Sequence, residues 1–276
     1  MHVLGILERD SSDGTLETVV DRVVDRLSRA GQVGVIRYDA TIADGTHEAL
    51  TPGGAVTYDL GADGDWTATG TGLSVGDALD TLVRDCEYAV VVGVPALRHP
   101  SIVVGEGDEP SDGGPVLASI TSSAELEAID LVDALEDHEP YETLESLVAE
   151  VKRSPKADRA GAIATFTGRV RAMDDPDDDR TEYLEFEKYE GVAEQRMAAL
   201  REDLESRDGV YEVVMYHRTG IVEDGEDIVF VVVLAGHREE AFRTVEDGIN
   251  RLKDEVPLFK KEVTVEDEFW VHDRTD

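Results

Sequence analysis

Residues 227–257 read DIVFVVVLAGHREEAFRTVEDGINRLKDEVP, and the pattern changes once along them. Residues 227–235 are a strand-like apolar run. After His237 the apolar residues Ala241, Phe242, Val245, Ile249 and Leu252 follow the three-and-four spacing of one buried helical face. Pro257 prevents the helix from continuing.

The same reading, carried outward, predicts strands at 160–168, 182–188, 210–217, 259–265 and 268–272, with a helix at 191–206. Strands and helices mixed in this order predict an α+β domain. Near the end, Trp270 is expected in the core and His272 facing solvent on alternation. His217, ending a strand before a glycine turn, is expected to be structural. The first half has a different rhythm: VLGIL at 3–7, a helix near 15–30, GVIRY at 34–38 and AVVVGV at 89–94 predict a parallel α/β sheet. Residues 40–75 and the acidic run 105–115 are turn-rich surface excursions, and DDPDDD at 174–179 is a solvated loop. The acidic helical stretch from 125 is interrupted at His138, Glu139 and Pro140. The expected division is therefore a first domain over 1–122, a linker over 123–139 and a second domain over 140–276.

A chain of 276 residues accommodates two domains, each able to bury its own core. Its 62 acidic and 26 basic residues give a formal charge of −36, spread over the whole length. That field repels nucleic acid and anionic membranes, and it suggests a cytoplasm of high salt, where screening weakens self-repulsion. No apolar run approaches the ~20 residues that span a bilayer. The start, MHVLGILERD, reads as a first strand and not a signal peptide, so a cytoplasmic protein is expected. The single cysteine, Cys86, is expected to be buried and inert. Neither a metal nor a cofactor is called for.

A strand, ERDSSDGT and a helix stand where a phosphate-binding loop would lie, with Ser11, Ser12 and Gly14 as possible donors. Such a loop needs a lysine on the terminal phosphates; here Glu8, Asp10 and Asp13 bring negative charge, and the first half has no lysine. Through VLGILERDSSDGT (3–15), GQVGVIRYDA (31–40) and YAVVVGVPALRHPSIVVGE (88–106), residues 1–120 resemble the molybdopterin-guanine dinucleotide biosynthesis protein B family. The resemblance implies a P-loop fold. It is degenerate, because Gly93 stands where the family's strand usually carries an acid. The domain is expected to dock, rigidify or solubilise its neighbour, with nucleotide binding as the alternative.

The second half keeps cations against the compositional bias: Arg169 and Arg171 in TFTGRVR, His237 and Arg238 in GHRE, Lys253, and the pair Lys260 and Lys261. The only lysines are Lys152, Lys156, Lys188, Lys253, Lys260 and Lys261. Cations retained in this way suit an anionic substrate carrying phosphate or carboxylate. A primary amine can also shed its proton or act as a nucleophile, which a guanidinium practically cannot.

GAIATFTGRVR (161–171), YLEFEKYEGVAEQRM (183–197), VVMYHRTGIVEDGEDIVFVVVLAGHREEAF (213–242), LKDEVPLFKKE (252–262) and FWVHD (269–273) together resemble the molybdopterin synthase large, catalytic subunit. The resemblance runs from about 140 to the end and implies an α/β hammerhead type of α+β fold. It implies a sulfurtransferase that converts cyclic pyranopterin monophosphate to the molybdopterin dithiolene. The sulfurs come from a thiocarboxylated ubiquitin-like small subunit ending in Gly-Gly. Arg171, His237 and Arg238 match positions that hold the substrate's phosphate and pterin, with Arg169 and Val170 in the same binding strand. Lys253 and Lys260 match the two lysines of the reaction centre, Lys261 and Glu262 continue that wall, Phe166 packs nearby and Arg274 reaches a neighbouring pocket. Ammonium groups there would neutralise and position the thiocarboxylate. A buried, mutually repelling pair could have one pKa lowered and serve as acid or base. An amine beside an activated terminus also raises acylation of Lys253 or Lys260 as a side reaction.

Arg238 and Lys253 are fifteen residues apart on one predicted helix, about 22 Å at ~1.5 Å per residue. One small pterin does not easily touch both. A pocket shared by two copies solves this, so a homodimer is expected, and the resemblance implies a heterotetramer with two small subunits. The competing readings are a catalytically idle scaffold for the ubiquitin-like partner and a nucleotide-binding adaptor acting through the first domain.

Overall fold

The computed structural model describes residues 1–9, 14–38, 56–106, 113–173, 175, 179–189, 191–265 and 268–271. They form two compact units, Met1–Thr143 and Leu144–Asp276.

The first unit runs β1 (His2–Glu8), α1 (Thr15–Leu27), β2 (Val33–Arg37), β3 (Val56–Leu60), β4 (Trp66–Gly70), α2 (Val75–Leu82), β5 (Tyr88–Val92), β6 (Ser101–Val104), β7 (Val116–Ile120) and α3 (Leu131–Glu136). Five strands make one parallel sheet in the order β2-β5-β1-β6-β7, and β3 with β4 forms a separate hairpin. The central strands are buried because both faces are covered, as a parallel sheet requires. Leu4, Ile6, Val90 and Ile102 pack with α1 and α3 on one side; Val3, Ala89 and Val91 pack with Leu79 and Val83 on the other.

The residues expected as a linker belong to this unit. Leu126, Leu131 and Leu135 are each 1% exposed within its core. Arg26 of α1 donates to the carbonyls of Leu126 and Ile129, and Arg22 donates to that of Ser123 at 3.0 Å. Three buried leucines, each stabilising by about 2 kcal/mol, outweigh the acidic composition that suggested a linker. The division between units falls after Thr143. Cys86 is half-buried, and burial, then Asp85 and Glu87, push its thiol pKa up, which disfavours the reactive thiolate.

The second unit runs α4 (Leu144–Lys152), β8 (Ala162–Arg169), β9 (Thr181–Lys188), α5 (Val192–Glu205), β10 (Val210–His217), β11 (Gly220–Glu223), β12 (Asp227–Ala235), α6 (Arg238–Glu255), β13 (Leu258–Thr264) and β14 (Glu268–Val271). Two antiparallel sheets, β10-β12-β8 and β11-β9-β13-β14, complete the expected α+β unit. β12 is apolar on both faces because both are covered. Phe230, Val232 and Leu234 pack with Leu147 and Val151 of α4, while Val229, Val231 and Val233 share a core with α5 and α6. In α6 the buried stripe is Ala241, Thr244, Val245, Gly248, Ile249 and Leu252. Phe242, expected on that stripe, is 66% exposed, because it lies about 100° round the helix from Ala241. Trp270, expected in the core, is 49% exposed. It pairs with Lys261 on the same face of β14 and β13 as exposed Phe259, away from buried Leu184 and Phe186.

Candidate functional site

β8 and β12 pair along their whole lengths, Arg169 against Asp227 at one end and Ala162 against Ala235 at the other. The seven steps between Ala162 and Arg169 span about 24 Å. Arg169 and Arg171 therefore sit at one end of this sheet, and His237 and Arg238, following β12, sit at the other. α6 begins at Arg238 and packs back along β8 and β12. Its 18 residues carry Lys253, in the last turn, toward the Arg169 end.

Each end has its own local chemistry. Gly225 accepts from the Arg169 guanidinium, which also pairs with Asp227 at 3.4 Å. Arg169 is therefore engaged by its own turn. Val170 is 3% exposed, its N–H donates to Glu226 at 2.9 Å and its carbonyl accepts from Gly225 at 3.0 Å. Its side chain is buried and these bonds anchor the strand end. Arg171 follows at the surface. Phe166 is half-buried against the core of this unit.

Lys253 is exposed near the negative end of the α6 dipole, where an ammonium is favoured. Val256 and Pro257 turn the chain from α6 into β13, so Lys253 and Lys260 flank one corner. Lys260 is half-buried and pairs with Phe186 and Val271. Within one copy Lys253 faces solvent and Lys260 is half-buried. Alternation along β13 places Lys260 and Glu262 on the face shared with Leu184 and Phe186, and Lys261 on the opposite face beside Glu185, 4.0 Å from its carboxylate. Lys261 therefore does not continue the wall on which Lys260 stands. Glu262 accepts from the Thr181 hydroxyl across the sheet.

At the far end His237 is the N-cap residue of α6 in extended conformation, and its imidazole makes no capping hydrogen bond. His237 and Arg238 are both exposed beside the helix N-terminus, an arrangement that favours an anion. A cavity of about 530 Å³ lies close by, lined by Lys156, Arg159, Arg207, Tyr211 and Glu240 among others. Its cations are engaged: Lys156 donates to the Tyr211 carbonyl at 2.9 Å, Arg159 lies 5.2 Å over the Tyr211 ring, and Arg207 pairs with Asp247 at 2.7 Å. Sequence reading passed over this cluster; the only signal for it was the rarity of Lys156.

His217 is 9% exposed, with Nδ1 2.7 Å from the Arg218 carbonyl and its ring edge-on to Phe186 at 4.8 Å. These contacts place its ring inside the packing of this unit. Arg274, His272 and Ser11, Ser12, Asp10 and Asp13 of the phosphate-loop stretch lie outside the described residues, as does most of the 174–179 loop. In the first unit Gly93 has φ +87°, and a Cβ there would meet the Tyr38 carbonyl oxygen at 2.4 Å. The backbone itself excludes an acid at that position.

Residues 137–255 match the MoaE protein family. A probable molybdopterin synthase from Haloferax volcanii is 48% identical over 274 residues, covering 99% of this chain and 100% of that protein. The salt-adapted composition fits that source. The molybdopterin synthase catalytic subunit of Bacillus subtilis is 35% identical over 126 residues, 46% of this chain and 78% of that protein. The solved structure of Bacillus subtilis MobB covers 49% of this chain and 97% of its own, with 15% identity and a TM-score of 0.38. The MoaE match falls on the unit that holds all the basic site residues, and the Haloferax relative matches from end to end. On these grounds the chain belongs to the molybdopterin synthase family.

Proposed function

We propose that the second unit is the catalytic subunit of a molybdopterin synthase, with each reaction centre assembled from two copies of the chain. The chain is an enzyme of molybdopterin biosynthesis. The finer reading is sulfur transfer to cyclic pyranopterin monophosphate from a small ubiquitin-like subunit whose Gly-Gly terminus carries a thiocarboxylate. Two such transfers build the dithiolene.

One observation carries the two-copy reading: Arg171 and Lys253 lie at one end of the β8–β12 ribbon and His237 with Arg238 at the other, about 24 Å apart. A substrate held by all four needs His237 and Arg238 from one copy and Arg171, Lys253 and Lys260 from the other, across a two-fold axis. Two small subunits on this homodimer make a heterotetramer.

In this arrangement Arg171, His237 and Arg238 bind the phosphate and the polar pterin edge through charge-assisted hydrogen bonds. Lys253 neutralises the incoming thiocarboxylate, orients it and stabilises charge developing on oxygen during transfer. Lys260, half-buried on β13, is the second cation at that terminus. Arg169 and Val170 set the position of Arg171 and are not contacts themselves.

The test is conversion of cyclic pyranopterin monophosphate to molybdopterin by the full chain with thiocarboxylated small subunit, in concentrated KCl. Product from wild type and none from Lys253→Ala supports the reading. Partner binding without product in either protein makes the chain a scaffold. Complementation decides the shared site: mixing inactive His237→Ala with inactive Lys253→Ala restores one intact centre in a mixed dimer, whereas a centre within one copy gives no recovery.

A further inference from the structure

Lys188 is the last residue of β9, and it faces the same way as Lys260. The register sets Lys188 opposite Leu258 and Phe186 opposite Lys260. Alternation along both strands puts Phe186 and Lys188 on one face with Leu258 and Lys260. Lys188 and Lys260 are therefore diagonal neighbours, about 7–8 Å apart along the sheet surface. β13 starts at Leu258, just past the turn from α6, so Lys188 stands at the corner that Lys253 and Lys260 flank. Half of the chain's six lysines meet there. The Lys188 side chain is 15% exposed, and its ammonium lies 3.4 Å from the carboxylate of Glu194, a 62% exposed side chain in the first turn of α5. Ion pairing alone does not account for a lysine at this position. Arg29, Arg37, Arg180, Arg207, Arg243 and Arg251 pair with carboxylates elsewhere in the chain. A guanidinium is a planar fork suited to one fixed carboxylate, whereas an ammonium is a compact charge on a flexible stem that can turn from one anion to another.

We infer that Lys188 is a further binding residue for the charged terminus of the small subunit, and that Glu194 holds its ammonium until that terminus arrives. The inference rests on the reaction corner proposed above and adds a residue to it. Lys188 and Lys260 on one sheet face repel each other, and an anion seated between them relieves that repulsion. Glu194 is a weak holder, because water screens an ion pair with a mostly exposed partner. A carboxylate-type terminus entering the half-buried face is screened less and takes the hydrogen bond from Glu194. Lys188 thereby makes the corner select a terminus that carries charge, while Lys253 and Lys260 keep the roles already described.

The test is the affinity of the full chain, in concentrated KCl, for a ubiquitin-like small subunit ending in Gly-Gly, prepared once with a terminal carboxylate and once with a terminal carboxamide. The carboxylate stands in for the thiocarboxylate. The ratio of the two affinities reads recognition of the terminal charge, with docking of the remaining surface cancelled. Lys188→Met is expected to lower that ratio about tenfold, the scale of one hydrogen bond to a charged group, and to leave the affinity for the carboxamide form unchanged. Lys188→Arg, which keeps the charge, restores most of the ratio, and Lys152→Met on exposed α4 leaves it at the wild-type value. Glu194→Gln breaks the same ion pair from its other side and is expected to raise the ratio about threefold, the scale of an exposed pair released. A merely structural ion pair gives Lys188→Met and Glu194→Gln changes of the same sign, and that result overturns the inference. So does a wild-type ratio in Lys188→Met. Should Lys188→Met fold poorly, Glu194→Gln decides alone, and a ratio unchanged or lowered overturns the inference. Wild type that binds both forms equally, or neither, fails one step earlier: it removes the corner as the receiver of the partner's terminus, and the role of Lys188 with it.

Discussion

Lysine separates the two units. Met1–Thr143 contains none, while Leu144–Asp276 holds all six. Three carboxylates with depressed pKa values have different partners in the two units. In the first unit Ser74 holds the Asp77 carboxyl below the usual range, and Ser122 with Thr121 does the same for Glu125, through hydroxyl and backbone hydrogen bonds. In the second, Arg251 holds Glu255 down, and that guanidinium also bonds Asp203. For these three carboxylates the donors are neutral in the first unit and cationic in the second. The first unit keeps arginines, Arg22, Arg26 and Arg29 among them, but no lysine.

The largest effect expected from this contrast is on turnover. Lys253→Ala should lower molybdopterin formation by about 10³-fold, the scale seen when a donor aimed at developing charge is removed. The dimer and the circular dichroism should be unchanged, since Lys253 is exposed. Arg29→Ala in α1, another exposed cation, should leave turnover within about twofold of wild type, in the range of a surface change away from any site. Equal losses from the two would erase the distinction between the units.

Placing an acid at Gly93, just after β5, tests the other side. Gly93→Asp forces a side chain onto a φ of +87° and against the Tyr38 carbonyl. The first unit should lose about 4 kcal/mol, followed by denaturant unfolding, and gain no nucleotide hydrolysis. Leu135→Ala should cost that same unit about 3 kcal/mol, because Leu135 is 1% exposed in its core. A loss below about 0.5 kcal/mol would return residues 123–139 to the status of a linker.

The smallest effect concerns salt. Glu255 is bonded to a guanidinium, so concentrated KCl should move its pKa up toward the ordinary carboxylate value, while Asp77 and Glu125, held by hydroxyls, should move less. Carbon-detected NMR titration of the three side chains measures this. A depressed carboxylate adds stability above its unfolded pKa and loses that contribution as the pH falls through its folded value. For Glu255 the acid-side loss should shrink in salt. A salt response as large for Asp77 as for Glu255 would remove the distinction drawn from their partners.

Legibility followed from how local each signal was. Strand and helix positions in the second unit were readable because β12 and α6 carry unbroken apolar and three-and-four patterns. The missed elements were α2, β3 and β4, β6 and β7, a four-residue strand and a strand close to a turn-rich run, and β11, four residues in a turn-rich segment. Phe242 and Trp270 were placed inside because apolar residues on a periodic element read as core, and one helical step or one sheet face decides otherwise. For the site, residue types and order were legible, while the burial of Val170 and the face of β13 that Lys261 takes were not, because the direction of a side chain depends on strand register. The hairpin was hidden in a segment rich in Gly, Thr and Asp, where its five apolar residues look incidental until the pairing aligns them on one face.

What the sequence determined by itself was the two-unit division in outline, the charge that governs which partners the chain can meet, and the set of cations from which a site could be drawn. These are properties of composition and short-range periodicity, and both are written along the chain. What only the tertiary structure decided was which cations share an end of the molecule. Pairing of β8 with β12 and the return of α6 along them set Lys253 toward Arg171 and away from His237, though all lie in one folded unit. That outcome depends on the rigid lengths of strands and helices, about 3.4 Å and 1.5 Å per residue, which fix separations that sequence spacing alone leaves open.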